Sequence, residues 1–318
     1  MKEFELPRPL RGIVPPMITP LAGRDTLDVA GLEKLTEHIL AGGVHGLFIL
    51  GTTGEAPGLS YRLRLELIDR VCEQVKGRVP VLVGATDTSF AESVHVAEHA
   101  ADAGAHAVVL AAPYYFPANQ PELLEYIENI AGELPLPVYL YNMPSHTKVS
   151  FGLDTLKRLI DIPNVYGLKD SSGQMVYFHE VRQLVKDRPD FSLLVGPEQL
   201  LAESVLLGGH GGVCGGANLV PELYVELYNA ATAGNLARIR ELHDRVMQIS
   251  TTLYAVGQYG SAFIKGLKCA LSCLGICDDA LAEPFQRFAP AERARVEKCL
   301  EELSITGESA AGRQSAGS

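Results

Sequence analysis

The sequence lacks the features that would place this protein in a membrane or on nucleic acid. No apolar run in its 318 residues approaches the length of a transmembrane helix. The opening segment, MKEFELPRPLRG, has charges and prolines where a signal peptide needs an apolar core, so we expect a cytoplasmic protein. The 27 basic residues are outnumbered by 38 acidic ones, and the net charge of −11 argues against nucleic acid and anionic membranes as partners.

Metal-binding cysteine pairs and nucleotide-binding motifs are missing as well. None of the six cysteines forms a C-x-x-C pair, and Cys269, Cys273 and Cys277 are spaced to lie on one face of a helix. We therefore expect apolar packing from them rather than zinc binding, and no metal is predicted. No G-x-G-x-x-G follows the first apolar run, and no G-x-x-x-x-G-K-[ST] is present, which argues against a nucleotide-binding protein.

What the sequence does contain is a regular alternation of short apolar runs and longer amphipathic stretches, the pattern of parallel β/α units. The predicted strands are Gly12–Thr19, Gly46–Leu50, Val79–Gly84, Ala107–Ala111, Val138–Asn142, Val165–Lys169, Phe191–Gly196 and Gly211–Cys214. The helices predicted between them are 28–41, 60–76, 89–103, 120–132, 153–160, 175–186 and 198–207. Eight strands within about 215 residues favour a closed (β/α)8 TIM barrel, with a doubly wound open sheet as the alternative.

The chain is predicted to have three parts. Residues 1–220 would form the barrel and carry the active site. Residues 221–303 show only helical patterns, over 220–233, 236–257, 258–275 and 291–303, and would form a C-terminal helical extension. Residues 304–318 are rich in glycine, alanine and serine without apolar periodicity, which predicts a disordered tail.

One short pattern recurs where a helix ends and a strand begins. The segments AGGVHGLFIL, ADAGAHAVVL and LLGGHGGVCG each place glycine and then histidine just before an apolar run. Glycine suits such a connection because it can end a helix in a left-handed conformation. The recurrence supports a repeated β/α plan.

Reacting groups in such a barrel come from the carboxyl ends of the strands, and Lys169 is the most informative residue there. It closes the apolar segment VYGLK and should point into the barrel mouth. An amine withdrawn from water is favoured in its neutral, nucleophilic form. The alternative is a lysine that simply reaches solvent at the end of a strand.

Two other strand ends carry groups that would complement this amine. The turn Gly51–Glu55 places two hydroxyls and several backbone N–H groups between two glycines, and such a turn can hold a small carboxylate. Tyr141 could pass protons to and from a reacting carbonyl oxygen if a threonine hydroxyl holds its phenol. An ordinary βα turn and a tyrosine that only packs in the barrel are the alternatives.

Taken together, the strand ends resemble the dihydrodipicolinate synthase / N-acetylneuraminate lyase family of class I Schiff-base aldolases. The resemblance extends from about Gly12 to Phe288. Its pieces are GTTGE at 51–55, PYY at 113–115, YNMP at 141–144, GLKDSSG at 167–173, LGGHGGV at 207–213 and AN at 217–218. Each piece is weak alone, but all of them occur in this order and at strand ends.

The resemblance implies a role for several of these residues. Lys169 would form the imine and Tyr141 would shuttle protons, while Thr52 and Thr53 would bind the carboxylate of pyruvate. Tyr115 would enter the active site of a neighbouring subunit and complete a Tyr141–Thr53–Tyr115 relay, which implies a homotetramer built as a dimer of dimers. The remaining implied substrate-binding residues are Val213, through its backbone carbonyl, and Gly196.

The activity that follows is a lyase reaction on a small 2-keto acid. The imine would act as an electron sink for breaking or making a C–C bond between pyruvate and an aldehyde, and neither a metal nor an organic cofactor is implied. Family members that synthesise dihydrodipicolinate carry arginine after YNxPS, where this chain has His146. Because a histidine is shorter and mostly neutral at pH 7, the substrate is predicted to be a 2-keto-3-deoxy acid that is cleaved or dehydrated.

Two alternative functions stay open. The first is dihydrodipicolinate (4-hydroxy-tetrahydrodipicolinate) synthase, which condenses pyruvate with aspartate semialdehyde. The other is a catalytically silent barrel that only binds a keto acid. Glu198, after the seventh strand, could hydrogen-bond the hydroxyls of a polyol chain or could simply be solvated at the start of a helix.

Overall fold

The computed structural model describes residues 5–306 and confirms the predicted (β/α)8 barrel. Most of the predicted tail, residues 307–318, lies outside the described residues. Eight parallel strands form the sheet: β1 Gly12–Ile13, β2 Leu47–Ile49, β3 Val81–Gly84, β4 Ala107–Ala111, β5 Val138–Asn142, β6 Val165–Asp170, β7 Ser192–Val195 and β8 Gly211–Gly212.

The sheet closes on itself between its first two strands. Regular pairing runs from β2 to β8 in chain order and then from β8 to β1. Phe48 N donates to Pro15 O at 2.9 Å and Met17 N donates to Phe48 O at 2.8 Å, which joins the segment after β1 to β2. The predicted first strand extended to Thr19, but two prolines at 15 and 16 leave only this irregular pairing there.

Helices surround the barrel. Those of six or more residues are α1 Val29–Ala41, α2 Tyr61–Val75, α3 Phe90–Asp102, α4 Gln120–Glu133, α5 Leu153–Leu159, α6 Met175–Leu184, α7 Leu201–Leu206, α8 Pro221–Thr232, α9 Leu236–Thr252, α10 Ala262–Cys273 and α11 Pro290–Glu302. Helix α8 packs against β1 and α7, in the place of the eighth helix of the ring, and α9 packs on α8. The predicted division of the chain at residue 220 stays a prediction.

The apolar residues divide into two layers, as a barrel requires. A larger buried cluster fills the space between sheet and helices. A smaller one fills the inside of the barrel and includes Phe48, Tyr139, Tyr141, Leu194 and Val213. Tyr141 therefore belongs to the inner face of β5, and the residues that alternate with it face the helices.

The recurring glycine–histidine pattern has a structural explanation at the amino-terminal rim of the barrel. His45 takes a hydrogen bond on Nδ1 from Ile13 N at 3.1 Å, and its own backbone N–H donates to Ile13 O at 2.8 Å. His106 makes the same pair of bonds with Val81, and His210 makes it with Leu193. We call these three arrangements the histidine clips, and each one ties the start of a strand to its neighbour.

Each clip needs a neutral imidazole, because a protonated Nδ1 has no lone pair to accept with. Burial lowers the pKa of His45 and of His106. Burial, helped by the charge of Arg11, lowers the pKa of His210 to about 4. A histidine with a lowered pKa in the folded state stabilises the fold above the unfolded pKa, and that stability is lost as the pH falls towards the folded value.

We predict that His210→Asn removes part of the acid sensitivity of the fold. An asparagine can place Oδ1 where the histidine has Nδ1, but it does not titrate. The pKa of His210 is about 4 in the folded state and about 6.5 in the unfolded chain. Because of this difference, His210 should lower the free energy of unfolding of the wild type by about 2 kcal/mol when the pH falls from 8 to 5. Urea unfolding at the two pH values measures this difference in the free energy of unfolding.

His95→Asn is the matched control, since His95 is exposed on α3 and belongs to no clip. Its unfolding free energy should depend on pH as the wild type does. Equal pH dependence in wild type and His210→Asn would refute the role assigned to the clip.

Candidate active site

Lys169 lies in β6 at the carboxyl-terminal rim of the barrel, as predicted, and its amine is surrounded by aromatic rings. The residue is 6% exposed. Its Nζ lies 3.9 Å from the ring centroid of Tyr141 and 5.1 Å from that of Phe48. An amine in this position is largely withdrawn from water and can attack a carbonyl carbon that enters the barrel mouth.

Tyr141 stands directly beside Lys169, because the two residues are register partners on β5 and β6. Its hydroxyl lies 3.3 Å from Thr52 Oγ1 and also interacts with Ser171. Burial acts to raise the pKa of Tyr141, but the charge of Lys169 and these hydrogen bonds outweigh it, so the pKa lies below its usual value. A phenol of this kind can exchange protons with a group bound to Lys169.

The hydroxyl that meets Tyr141 differs from the one in the predicted relay. The resemblance pointed to Thr53, whereas Thr52 lies at hydrogen-bond distance. Thr53, the next residue of the turn, is buried. Two consecutive hydroxyls in a tight turn point in different directions, and the sequence does not reveal which one faces the lysine.

The turn at 51–55 packs closely against the barrel interior. A Cβ on Gly51 would lie 2.6 Å from the ring of Phe48, so only glycine lets the turn pack on this residue of the barrel interior. Thr19 Oγ1 donates to Gly54 O at 2.7 Å and holds the far side of the turn. Glu55 ends it with a φ of 56°.

An ion pair that could not be predicted from the sequence anchors this turn to the C-terminal helices. Lys268 on α10 is completely buried and pairs with Glu55 Oε1. Glu55 Oε2 accepts from Ala282 N at 2.8 Å, while Lys268 Nζ donates to Ala280 O at 2.7 Å. Burial lowers the pKa of Lys268, and the carboxylate of Glu55 opposes this effect.

Gly196 and Val213 directly follow the last residues of β7 and β8. A Cβ on Gly196 would come within 1.9 Å of Ser171 Oγ, so glycine makes room for the serine that reaches Tyr141. Val213 is buried on the inner face, and its N–H donates to Val195 O at 2.8 Å. Ser171 was not among the predicted site residues.

Glu198 is a different case, because its carboxylate is turned into the protein. Its Oε2 accepts from Gly216 N at 2.7 Å, and its Oε1 accepts from Tyr224 Oη at 2.7 Å and Tyr254 Oη at 3.0 Å. The residue is 4% exposed, and burial raises its pKa although these donors oppose the effect. With both oxygens occupied by protein groups, the structure favours a structural role over the predicted contact with substrate hydroxyls.

His146 is an exposed residue of the four-residue helix Pro144–Thr147, which follows β5. Its Nδ1 lies 2.9 Å from Ser145 Oγ. Desolvation by neighbouring atoms and the charge of Lys148 lower the pKa of His146, which favours the neutral imidazole. The position offers a substrate a hydrogen bond rather than a positive charge.

Tyr115 points away from its own barrel. It is 83% exposed, next to the 80% exposed Phe116, and the two rings meet edge to face at 5.0 Å. Its φ of 80° is unusual for a bulky residue. Within its own chain Tyr115 therefore does not join Thr52 and Tyr141, and a relay through it needs a second subunit.

Comparison with known proteins places this geometry in a family. The model of the dihydrodipicolinate synthetase family matches residues 9–303. An uncharacterised DapA-like lyase of Halobacterium salinarum is 33% identical over 299 residues, which cover 94% of this chain and 96% of that protein.

Solved structures give the same result. The structure of dihydrodipicolinate synthase from Bacteroides thetaiotaomicron aligns with a TM-score of 0.90 and 58% identity, covering 92% of this chain and 99% of the other. YagE from E. coli K12, a prophage protein of the dihydrodipicolinic acid synthase family solved in complex with pyruvate, aligns with a TM-score of 0.86 and 29% identity. The YagE alignment covers 93% of this chain and 99% of the other.

Proposed function

Because this chain belongs to the dihydrodipicolinate synthetase family and is a lyase of the class I aldolase type, we propose that Lys169 forms a Schiff base with pyruvate or with the keto group of a 2-keto-3-deoxy acid. One observation carries the proposal: the buried amine of Lys169 lies against Tyr141, whose hydroxyl meets Thr52. The same arrangement weighs against the alternative of a silent keto-acid-binding barrel, since binding alone requires no buried amine beside a phenol.

The proposed reaction follows from these groups. Lys169 adds to the ketone, and Tyr141 protonates the hydroxyl that leaves the carbinolamine as water. Tyr141, now a phenolate, takes the proton of the C4 hydroxyl, the electron pair of the C3–C4 bond moves to the iminium, and an aldehyde departs while an enamine remains. Protonation and hydrolysis of the enamine release pyruvate and restore the amine; addition of the enamine to an aldehyde is the synthetic direction.

The turn at 51–55 is proposed to hold the carboxylate of the keto acid. Thr52 and Thr53 supply hydroxyls, and the backbone N–H groups of a tight turn attract an anion. The carbonyl of Val213 and the backbone at Gly196 would line another part of the site, because β8 is separated from β2 only by β1 and β7 pairs with β8. All groups in this proposal belong to the protein, so it includes no metal and no organic cofactor.

We propose that the working enzyme is a homotetramer, a dimer of dimers. Two separate apolar patches support this assembly, since each of two different interfaces needs its own surface. One patch is Tyr115 with Phe116; the other consists of the exposed Leu206 and Leu207 at the end of α7, which lie beside His179 and Arg182 of α6. In this arrangement Tyr115 would complete the relay Tyr141–Thr52 of a neighbouring subunit.

A cytoplasmic location is proposed as well. The six cysteines, distributed between Cys72 and Cys299, are all free thiols, as is usual in a reducing compartment. Within residues 5–306, no helix is both long and apolar enough to cross a membrane.

The substrate is proposed to be a 2-keto-3-deoxy acid, and His146 is the residue that supports this choice. A neutral imidazole offers one hydrogen bond to a hydroxyl, whereas the carboxylate of aspartate semialdehyde calls for a fixed positive charge. The second candidate is 4-hydroxy-tetrahydrodipicolinate synthase, and the 58% identity to the dihydrodipicolinate synthase structure favours it. Glu198 takes no part in the proposal, since protein donors occupy its carboxylate.

We predict that the wild type has a higher kcat/KM for cleavage of a keto-deoxy sugar acid than for condensation of pyruvate with aspartate semialdehyde. In His146→Arg the difference between these two kcat/KM values should be smaller. The loss of an ionic contact to the semialdehyde is worth about 1.5–3 kcal/mol. His146→Arg should therefore improve the condensation about tenfold to hundredfold. Pyruvate release from a panel of 2-keto-3-deoxy acids and the condensation rate measure the two activities.

His95→Arg is the control, because it adds the same charge on the outer surface of α3 and should change neither activity. Efficient condensation by wild type, with no gain in His146→Arg, would mean that another basic group holds the semialdehyde. The synthase would then replace our choice of substrate.

A further inference from the structure

The residues that follow Tyr141 and Lys169 form a second pair across the same two strands. Asn142 and Asp170 are the last register partners of β5 and β6. Because side chains alternate along a strand, this pair faces the helices while Tyr141 and Lys169 face the barrel interior. Asn142 Nδ2 donates to Asp170 Oδ1 at 2.8 Å, and both residues are buried.

Each member of the pair is held by further bonds. Asp170 accepts from Ser172 N at 3.1 Å and from Ser172 Oγ at 2.9 Å. Asn142 Oδ1 accepts from Phe151 N at 3.2 Å, which fixes the orientation of the amide. Burial raises the pKa of Asp170, and the bonds from Asn142 and Ser172 oppose the effect.

We propose that Asp170 is a positioning residue, whose hydrogen bond to Asn142 fixes the spacing between Tyr141 and Lys169 on the other face of the sheet. The inference rests on the proposed function, in which these two groups exchange a proton at the imine. The strands β5 and β6 end at this pair, so the side-chain bond ties their ends at the level of the reacting groups.

Spacing matters here because the amine lies only 3.9 Å from the ring centroid of Tyr141. A misplacement of about 1 Å between reacting groups can cost about 10²-fold in rate. The carboxylate of the keto acid is proposed to bind in the turn at 51–55 after β2, and β2 is not a neighbour of β6 in the sheet. Loss of the tie should therefore affect the chemical steps more than the binding of pyruvate.

Substitutions at Asp170 separate hydrogen bonding from charge. Asp170→Ala removes the bond to Asn142 and should lower kcat about tenfold to hundredfold, with a KM for pyruvate within about threefold of wild type. Asp170→Asn can still accept from Asn142 Nδ2 while turning its own amide towards Ser172 Oγ, and it should recover most of the lost kcat. Ser172→Ala is the matched control, since it removes a bond to the same carboxylate but leaves the tie intact; its kcat should stay close to that of wild type.

The rate at which borohydride traps pyruvate on Lys169 is the second measurement. It should fall in Asp170→Ala and recover in Asp170→Asn. Should Asp170→Ala fail to fold, Asn142→Ser breaks the same bond from the other strand and must lower kcat to a similar extent.

The outcomes separate this inference from the proposal on which it rests. If the wild type forms no adduct on Lys169, the proposed function itself is refuted. A wild type that forms the adduct, together with an Asp170→Ala of unchanged kcat, would overturn only the positioning role. If kcat falls as much in Asp170→Asn as in Asp170→Ala, the positioning role is also overturned. The charge of Asp170, and not its hydrogen bond to Asn142, would then be what supports kcat.

Discussion

Treatment of the protein with pyruvate and sodium borohydride is expected to attach one reduced pyruvyl group to Lys169. Borohydride reduces an imine to a stable amine, whereas a keto acid held only by hydrogen bonds leaves no covalent mark. Mass spectrometry of the digested protein locates the adduct. Lys169→Ala should form no adduct and should abolish turnover, because no other group of the site can supply the imine nitrogen.

Lys148→Ala provides the comparison for this experiment. Lys148 is an exposed lysine just after the helix Pro144–Thr147, and its Nζ donates to Ser145 O at 2.6 Å. Its removal should leave the adduct in place. An adduct on a lysine other than Lys169, or none at saturating pyruvate, would contradict the catalytic assignment, provided that circular dichroism shows each variant to be folded.

Tyr141→Phe is expected to lower kcat by about 10²- to 10⁴-fold, the usual range for loss of a general acid–base group. The phenol lies beside the amine, and the charge of Lys169 contributes to its lowered pKa. Steady-state kinetics with a keto acid that the wild type cleaves measures the change. Imine trapping should slow in parallel, since loss of water from the carbinolamine needs the same proton.

Tyr139→Phe is a close control, because it lies two residues earlier on β5 and is also buried. Its hydroxyl lies 3.2 Å from Ser192 Oγ, whereas that of Tyr141 lies near Thr52. This variant should lose about 1 kcal/mol of stability and little activity.

Tyr115→Phe should lower the activity of the neighbouring subunit. If both Tyr141→Phe and Tyr115→Phe keep activity within a factor of two of wild type, the relay is rejected. If the protein is a monomer in solution, the role proposed for Tyr115 is rejected.

The sequence predicted most of the fold because its apolar pattern has a clear period. Each predicted strand corresponds to an observed one, and Lys169, Tyr141 and Thr52 meet because the carboxyl ends of all eight strands lie on one rim. Knowing only that a residue closes a barrel strand is enough to place it near the others. Local pattern and topology together thus predict the outline of the site.

Contacts between distant parts of the chain could not be predicted in this way. Glu198 stands at a strand end, where a carboxylate could face substrate, but its donors Gly216, Tyr224 and Tyr254 come from later segments. The pairing of Glu55 with Lys268 joins a barrel turn to a helix 213 residues further along. The choice between Thr52 and Thr53 depends on turn dihedrals that two identical side chains do not reveal.

The histidine clips lie at the opposite end of the barrel from Lys169, at the starts of the strands. Scaffold integrity and reactivity are therefore assigned to different rims of the same eight strands. The loops at the carboxyl-terminal rim can therefore change in sequence and accept different aldehydes, while the histidine clips continue to hold the amino-terminal rim together. The same separation means that loss of activity in mild acid can begin at the floor of the barrel, as a failure of the scaffold, while the groups around the lysine remain chemically competent.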